Sequence, residues 1–105
     1  TQVLREEWGF DGLVVSDWAG VHELVAHGVA ADSAEAGRLG LQAGVDIDMV
    51  SDIYRTQLAA LLREGRLSQA TVDEAVRRVL RLKYRLGLFE DPYRYSDPAR
   101  QQAAW

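Results

Sequence analysis

Cysteine is absent from the 105-residue chain, which excludes a disulfide framework, a thiolate zinc site and a cysteine nucleophile. Proline occurs only twice, and 48% of the residues are hydrophobic against 27% charged, so neither a disordered tail nor a low-complexity linker fits. No apolar run approaches the roughly 20 residues of a membrane span, and Thr1-Gln2-Val3-Leu4-Arg5 lacks the regions of a signal peptide. Basic charge is scarce in one half: residues 1–54 hold two basic and ten acidic residues, whereas residues 55–105 hold ten and six. The acidic half offers no face for phosphates, which argues against a nucleic-acid partner and favours a neutral or cationic ligand. A chain of this size supports one core at most, burying roughly 60 to 68% of its unfolded surface.

What is present reads as an α/β pattern. Val3-Leu4-Arg5-Glu6-Glu7-Trp8 has the character of the last turns of a helix closed by Gly9. Leu13-Val14-Val15 is a short β-branched run, predicting a buried strand of a parallel sheet, with Ser16-Asp17-Trp18 at its exit. Ala36, Leu39 and Ala43 fall at helical spacing between Ser33, placed as N-cap, and Gly44 as terminator. Gly37 and Gly40 inside that helix predict close packing on a sheet. Val45, Ile47 and Met49 alternate with Asp46 and Asp48, predicting a second strand. Ser51 then opens a helix with the stripe Tyr54, Leu58, Leu61, Leu62, ending at Gly65. Ser68 opens another with Val72, Val76, Val79, Leu80 and Leu86, ending at Gly87. The order strand, helix, strand, helix, helix signals βαβ units. Two parallel strands are unstable without neighbours, so the chain is expected to belong to a larger domain. Residues 91–105, with Pro92 and Pro98, lose periodicity and are expected to begin a linker toward a further domain.

In α/β barrels the chemistry sits at the carboxyl ends of the strands, which singles out Asp17. The plain alternative is that Asp17 caps the segment that follows. Trp18 beside it suits a pyranose, whose C–H face a flat ring can cover while a carboxylate meets the anomeric carbon; the alternative is a core tryptophan.

Trp8-Gly9-Phe10-Asp11-Gly12 followed by Val14-Val15-Ser16-Asp17-Trp18, then Ala43-Gly44-Val45-Asp46-Ile47-Asp48-Met49, Val72-Asp73-Glu74-Ala75-Val76-Arg77-Arg78-Val79-Leu80 and Lys83-Tyr84-Arg85-Leu86-Gly87-Leu88-Phe89 together resemble glycoside hydrolase family 3. His27-Gly28-Val29-Ala30-Ala31-Asp32 and Asp91-Pro92-Tyr93 further resemble its bacterial periplasmic β-glucosidase branch. The resemblance implies that residues 1–90 are the C-terminal portion of a (β/α)8, TIM-like barrel: its last two strand–helix units plus a terminal helix. It implies retaining hydrolysis of terminal β-D-glucosyl residues, with Asp17 as the nucleophile and Trp18 and Met49 as substrate-binding residues. No metal and no cofactor are implied. The acid/base carboxyl group would come from a following domain, and the whole protein would be periplasmic or secreted. A β-xylosidase or exo-glucanase of the same family is the nearest alternative.

Other residues admit competing readings. Asp46 and Asp48 share one strand face, as a metal or acid/base pair would, or they bond to backbone and arginine side chains. His22 and His27 are candidate proton shuttles or loop histidines with local hydrogen bonds. Arg77, Arg78, Arg81, Lys83 and Arg85 hint at phosphate, yet Asp73 and Glu74 stand four residues before Arg77 and Arg78, the mark of a solvated helix face. The Leu58, Leu61, Leu62 stripe suits either a barrel helix or a non-catalytic α/β interaction module. With one strand-end carboxylate and open strand edges, the isolated chain is expected to be inactive.

Overall fold

The computed structural model describes residues 1–96 and 102. After a single-turn π-helix over Gln2–Glu7 come α1 (Gly20–Ala26), α2 (Ser33–Gln42), α3 (Ile53–Arg63) and α4 (Gln69–Arg85). Helix α1 lies where the sequence reading has none. It is only seven residues long, and its N-cap Ala19 offers no side-chain oxygen, so the usual start signal is missing.

The expected strands are much reduced. Among the described residues no strand extends over 13–15 or 45–50; the two segments meet at one parallel bridge, Val15 with Ile47. Backbone bonds still follow the parallel pattern. Asp46 and Ile47 N–H donate to the Val14 carbonyl at 2.8 and 3.1 Å, and Ser16 N–H donates to the Ile47 carbonyl at 2.9 Å. Val15 is 45% exposed rather than covered on both faces, because a pair of segments has no third strand to extend the ladder. Helices α1 and α2 form the crossover between the paired segments, as parallel pairing requires.

Helix ends follow the local chemistry. Asp32, not Ser33, caps α2, its side chain accepting from Glu35 N–H at 2.8 Å. Ser68 caps α4, accepting from Thr71 N–H at 3.2 Å, as its place in the sequence predicts. Ser51 does not cap α3. Asp52 occupies that position in the left-handed region, and Asp48 Oδ2 accepts the free N–H groups of Ile53 and Tyr54 at 2.8 and 3.2 Å.

Two clusters form the core. Val21, Ala30, Ala36 and Ile53 make the first, and Leu41, Leu61, Leu67 and Ala75 the second, with Tyr54 packed against both. Gly37 and Gly40 admit a close approach, but of helices rather than a sheet: a Cβ at Gly37 would lie 2.8 Å from Ile53 Cγ2, and one at Gly40 3.1 Å from the Tyr54 hydroxyl. The α4 stripe is less covered than expected. The buried residue of α4 is Ala75, outside that stripe, while Val76, Leu80 and Leu86 are exposed, and a recess of about 160 Å³ lined by Leu41, Tyr54, Leu58, Val72 and Val79 runs beside the helix. Beyond α4, residues 91–96 form turns in which Arg94 and Tyr95 donate to the Leu86 carbonyl. The rest of the expected linker, Gln102 aside, lies outside the described residues.

Candidate active site

The parallel bridge delivers two chain segments to one place. Ser16-Asp17-Trp18-Ala19 leaves the first segment and Asp48-Met49-Val50 leaves the second, and the two are tied at Met49. Met49 N–H donates to Ser16 Oγ at 2.9 Å, and the Met49 carbonyl accepts Ala19 N–H at 3.0 Å. The Ser16 hydroxyl in turn donates to the Asp17 carbonyl at 2.9 Å, which also accepts Gly20 N–H at 3.3 Å. Both loops carry backbone that L side chains rarely adopt: φ is +58° at Ala19 and +72° at Val50. Strain of about 1–3 kcal/mol at such positions persists only where neighbouring contacts enforce it, and it concentrates at functional sites.

Asp17 is exposed, and among the described residues no side-chain hydrogen bond engages its carboxylate. It does not cap α1, whose N-cap carries no side-chain bond. The carboxylate occupies the space beside Gly20: a Cβ there would fall well inside contact distance of Asp17 Oδ1. Trp18 is 73% exposed, so its ring packs into neither core cluster of the described residues. Met49 is also exposed. The bridge thus brings Asp17, Trp18 and Met49 to one end of the paired segments as free side chains. Ser16 and Gly20 escaped the sequence reading; a glycine three residues after a strand-end aspartate was the available signal.

The remaining candidates have structural partners. Asp46 is buried; its Oδ2 accepts from Arg5 Nη2 at 3.0 Å and from Val14 N–H at 2.9 Å, and its Oδ1 from Arg78 Nη1 at 2.8 Å. Arg78 is therefore not on a solvated face, although its Nη2 also lies 3.5 Å from Glu74 Oε1 as the four-residue spacing predicts. Asp73 accepts from Gln69 instead of pairing with Arg77, which lies against Glu74. Arg5 Nη1 also donates to the Gly12 carbonyl at 2.8 Å, fixing the approach to the first bridged segment. His22 lies in the first turn of α1 and His27 is its C-cap. The backbone N–H of His22 donates to Ser51 Oγ, and His27 Nε2 stands 3.5 Å from Glu23 Oε2, both side chains exposed. At the surface, Arg85 binds Asp11 at 2.7 Å and holds its carboxyl below the usual carboxylate range. Arg55 does the same for Asp52. Burial, followed by the charges of Asp48 and Asp46, raises the Tyr54 phenol, whose hydroxyl donates to the Val45 carbonyl at 2.8 Å.

Residues 1–82 match the glycosyl hydrolase family 3 N-terminal domain. Over 96 residues, 91% of the chain, the sequence is 47% identical to the periplasmic beta-glucosidase of Salmonella typhimurium. It is 40% identical over 97 residues, 84% of the chain, to a beta-xylosidase of Formosa agariphila. The crystal structure of beta-glucosidase from Listeria innocua in complex with glucose superposes with a TM-score of 0.87 at 49% identity, covering 89% of this chain and 13% of that one. The chain spans 12% of the length of the Salmonella relative and 13% of the Formosa one.

Proposed function

This chain belongs to glycosyl hydrolase family 3, a family of barrel-type domains, and we propose that it supplies the nucleophile Asp17 to a retaining hydrolase of terminal β-D-glucosyl residues. The observation that carries the proposal is the exposed Asp17 carboxylate, held at the exit of the bridged segment with no hydrogen bond of its own among the described residues and an exposed Trp18 beside it. A carboxylate so placed attacks the anomeric carbon and forms a glycosyl ester. A second carboxyl group, about 5 to 5.5 Å away in retaining enzymes, protonates the departing oxygen and then activates the water that cleaves the ester. That group comes from a following domain. Trp18 lies along the apolar face of the sugar, and Met49 lines the same subsite.

In this reading residues 1–90 are the last two strand–helix units and the terminal helix of a (β/α)8 barrel, and residues 91–105 begin the linker to the second domain. The uncovered α4 stripe and the single-bridge pairing support it, since both faces await neighbours. The periplasmic relative favours the periplasm for the whole protein. No helix of the described residues is long and apolar enough to cross a membrane. The xylosidase relative favours a second reading, in which the sugar is β-xylose.

Labelling tests the assignment. In the complete enzyme that carries this chain, a 2-deoxy-2-fluoro-β-glucoside with an activated leaving group traps the ester intermediate, and mass spectrometry is expected to find the label on Asp17; a label on Asp46, Asp48 or Glu23 overturns the assignment. The corresponding fluoroxyloside compared at equal concentration separates the two sugars by labelling rate.

A further inference from the structure

The Asp17 carboxylate has no side-chain hydrogen bond among the described residues, so its aim is inherited from its backbone. That backbone is gripped on both sides by one residue. Ser16 before the Asp17-Trp18 pair and Ala19 after it both bond to Met49, one through a hydroxyl and one through a main-chain N–H. Ser16 Oγ is the sole side-chain atom in this clamp. It accepts the Met49 N–H at 2.9 Å and directs its own proton to the Asp17 carbonyl at 2.9 Å, so a single hydroxyl fixes Asp17 and Met49 relative to each other. With the hydroxyl gone, the Met49 N–H loses its partner and the Asp17 carbonyl keeps only the longer bond from Gly20 N–H at 3.3 Å.

We infer that Ser16 is a positioning residue: its hydroxyl sets the register between the Asp17 turn and the Met49 loop, and so the line of attack on the sugar. The inference rests on the nucleophile role of Asp17 proposed above. Misplacement of a reacting group by about 1 Å costs on the order of 100-fold in rate.

The experiment compares Ser16→Ala and Ser16→Thr with the parent in the complete enzyme that carries this chain. Rates on an aryl β-glucoside are normalised to the sites that an activated fluoroglucoside titrates, so partial unfolding drops out. Ser16→Ala is expected to lower kcat by ~10- to 100-fold, and Ser16→Thr, which keeps the oxygen, to recover most of the loss. A Ser16→Ala enzyme that labels on Asp17 and turns over at the parental kcat overturns the positioning role alone. So does a Ser16→Thr enzyme no faster than Ser16→Ala. A folded parent enzyme that takes up no label on Asp17 overturns the nucleophile assignment, and the inference with it.

Discussion

Arg78 of α4 donates to Asp46 across 32 residues of sequence, Nη1 to Oδ1 at 2.8 Å, while Arg5 of the π-helix donates to the other oxygen at 3.0 Å. One buried carboxylate therefore links the start of the chain, the second bridged segment and α4. Its Oδ2 also accepts Val14 N–H, a donor that no backbone ladder serves. The carboxylate completes by side chain the pairing that a fuller sheet would make by main chain.

Asp46→Ala is expected to destabilise the folded protein by about 3–5 kcal/mol, because two guanidinium groups at the edge of the core lose their counter-charge at once. Arg78→Met is expected to cost less, since Arg5 still partners Asp46. Urea unfolding of both variants checks the order.

Tyr54 joins the two core clusters and gives its hydroxyl proton to the Val45 carbonyl. Tyr54→Phe is expected to lose about 1–3 kcal/mol, leaving a carbonyl beside the core without that donor. The pH dependence has a definite sign. The phenol is raised above its ordinary value near 10, so the folded state holds the proton more tightly than the unfolded one. That stabilisation is complete below about pH 10 and is lost as pH rises through the raised folded value. Thermal melts from pH 8 to 11 are expected to show a fall at the alkaline end that is shallower in Tyr54→Phe.

Much of this architecture was legible in the sequence, and the failures have physical causes. Helices α2, α3 and α4 announce themselves by apolar spacing, by Ser68 as a cap and by the positive-φ glycines Gly44, Gly65 and Gly87 at or just beyond their ends. Helix α1 does not, since seven residues after a left-handed alanine carry no cap and too short a stripe. The sequence points to Ser51 as the cap of α3, whereas Asp48 supplies it from five residues upstream, through the fold and not through the turn. Strand propensity at Leu13-Val14-Val15 expresses itself only where a partner strand exists, and one partner supports one bridge. Of the candidate site, Asp17 and Trp18 stand out by residue type and position and Gly20 by its spacing from Asp17, whereas Ser16 acts through contacts to Met49 and the Asp17 carbonyl that spacing alone does not encode.

Gly20→Ala separates stability from chemistry. The new methyl group meets Asp17 Oδ1, the end of a flexible side chain, instead of backbone, and alanine is the better helix former by about 1 kcal/mol. In the complete enzyme the variant is expected to melt no lower than the parent while its rate of labelling by the fluoroglucoside falls, because the carboxylate must swing away. Calorimetry alongside the labelling time course reads both.

In the complete enzyme, Trp18→Ala is expected to weaken transition-state binding by about 1.5–3 kcal/mol in kcat/KM on β-glucosides, the scale of burying a large apolar side chain against a ligand. Stability is expected to hold, since the ring is 73% exposed and contributes little to the core. Unchanged kinetics with a collapsed melting point would assign Trp18 to packing instead.

The 105 residues alone are expected to turn over no aryl β-glucoside. Asp17 and Trp18 stand on an open surface, and the apolar recess of about 160 Å³ is lined by Leu41, Tyr54 and α4 residues, away from both. Nothing there supplies the concave walls that orient a sugar, or the acid that protonates its leaving group. The same open surface exposes the unpaired side of each bridged segment together with the Val76 and Leu80 stripe of α4, so the free chain is expected to self-associate at micromolar concentration. Light scattering and a β-glucosidase assay on the purified chain test both statements. A monomer with robust turnover abolished by Asp17→Asn would mean that these residues hold a complete catalytic site, and that the acid/base group lies among them.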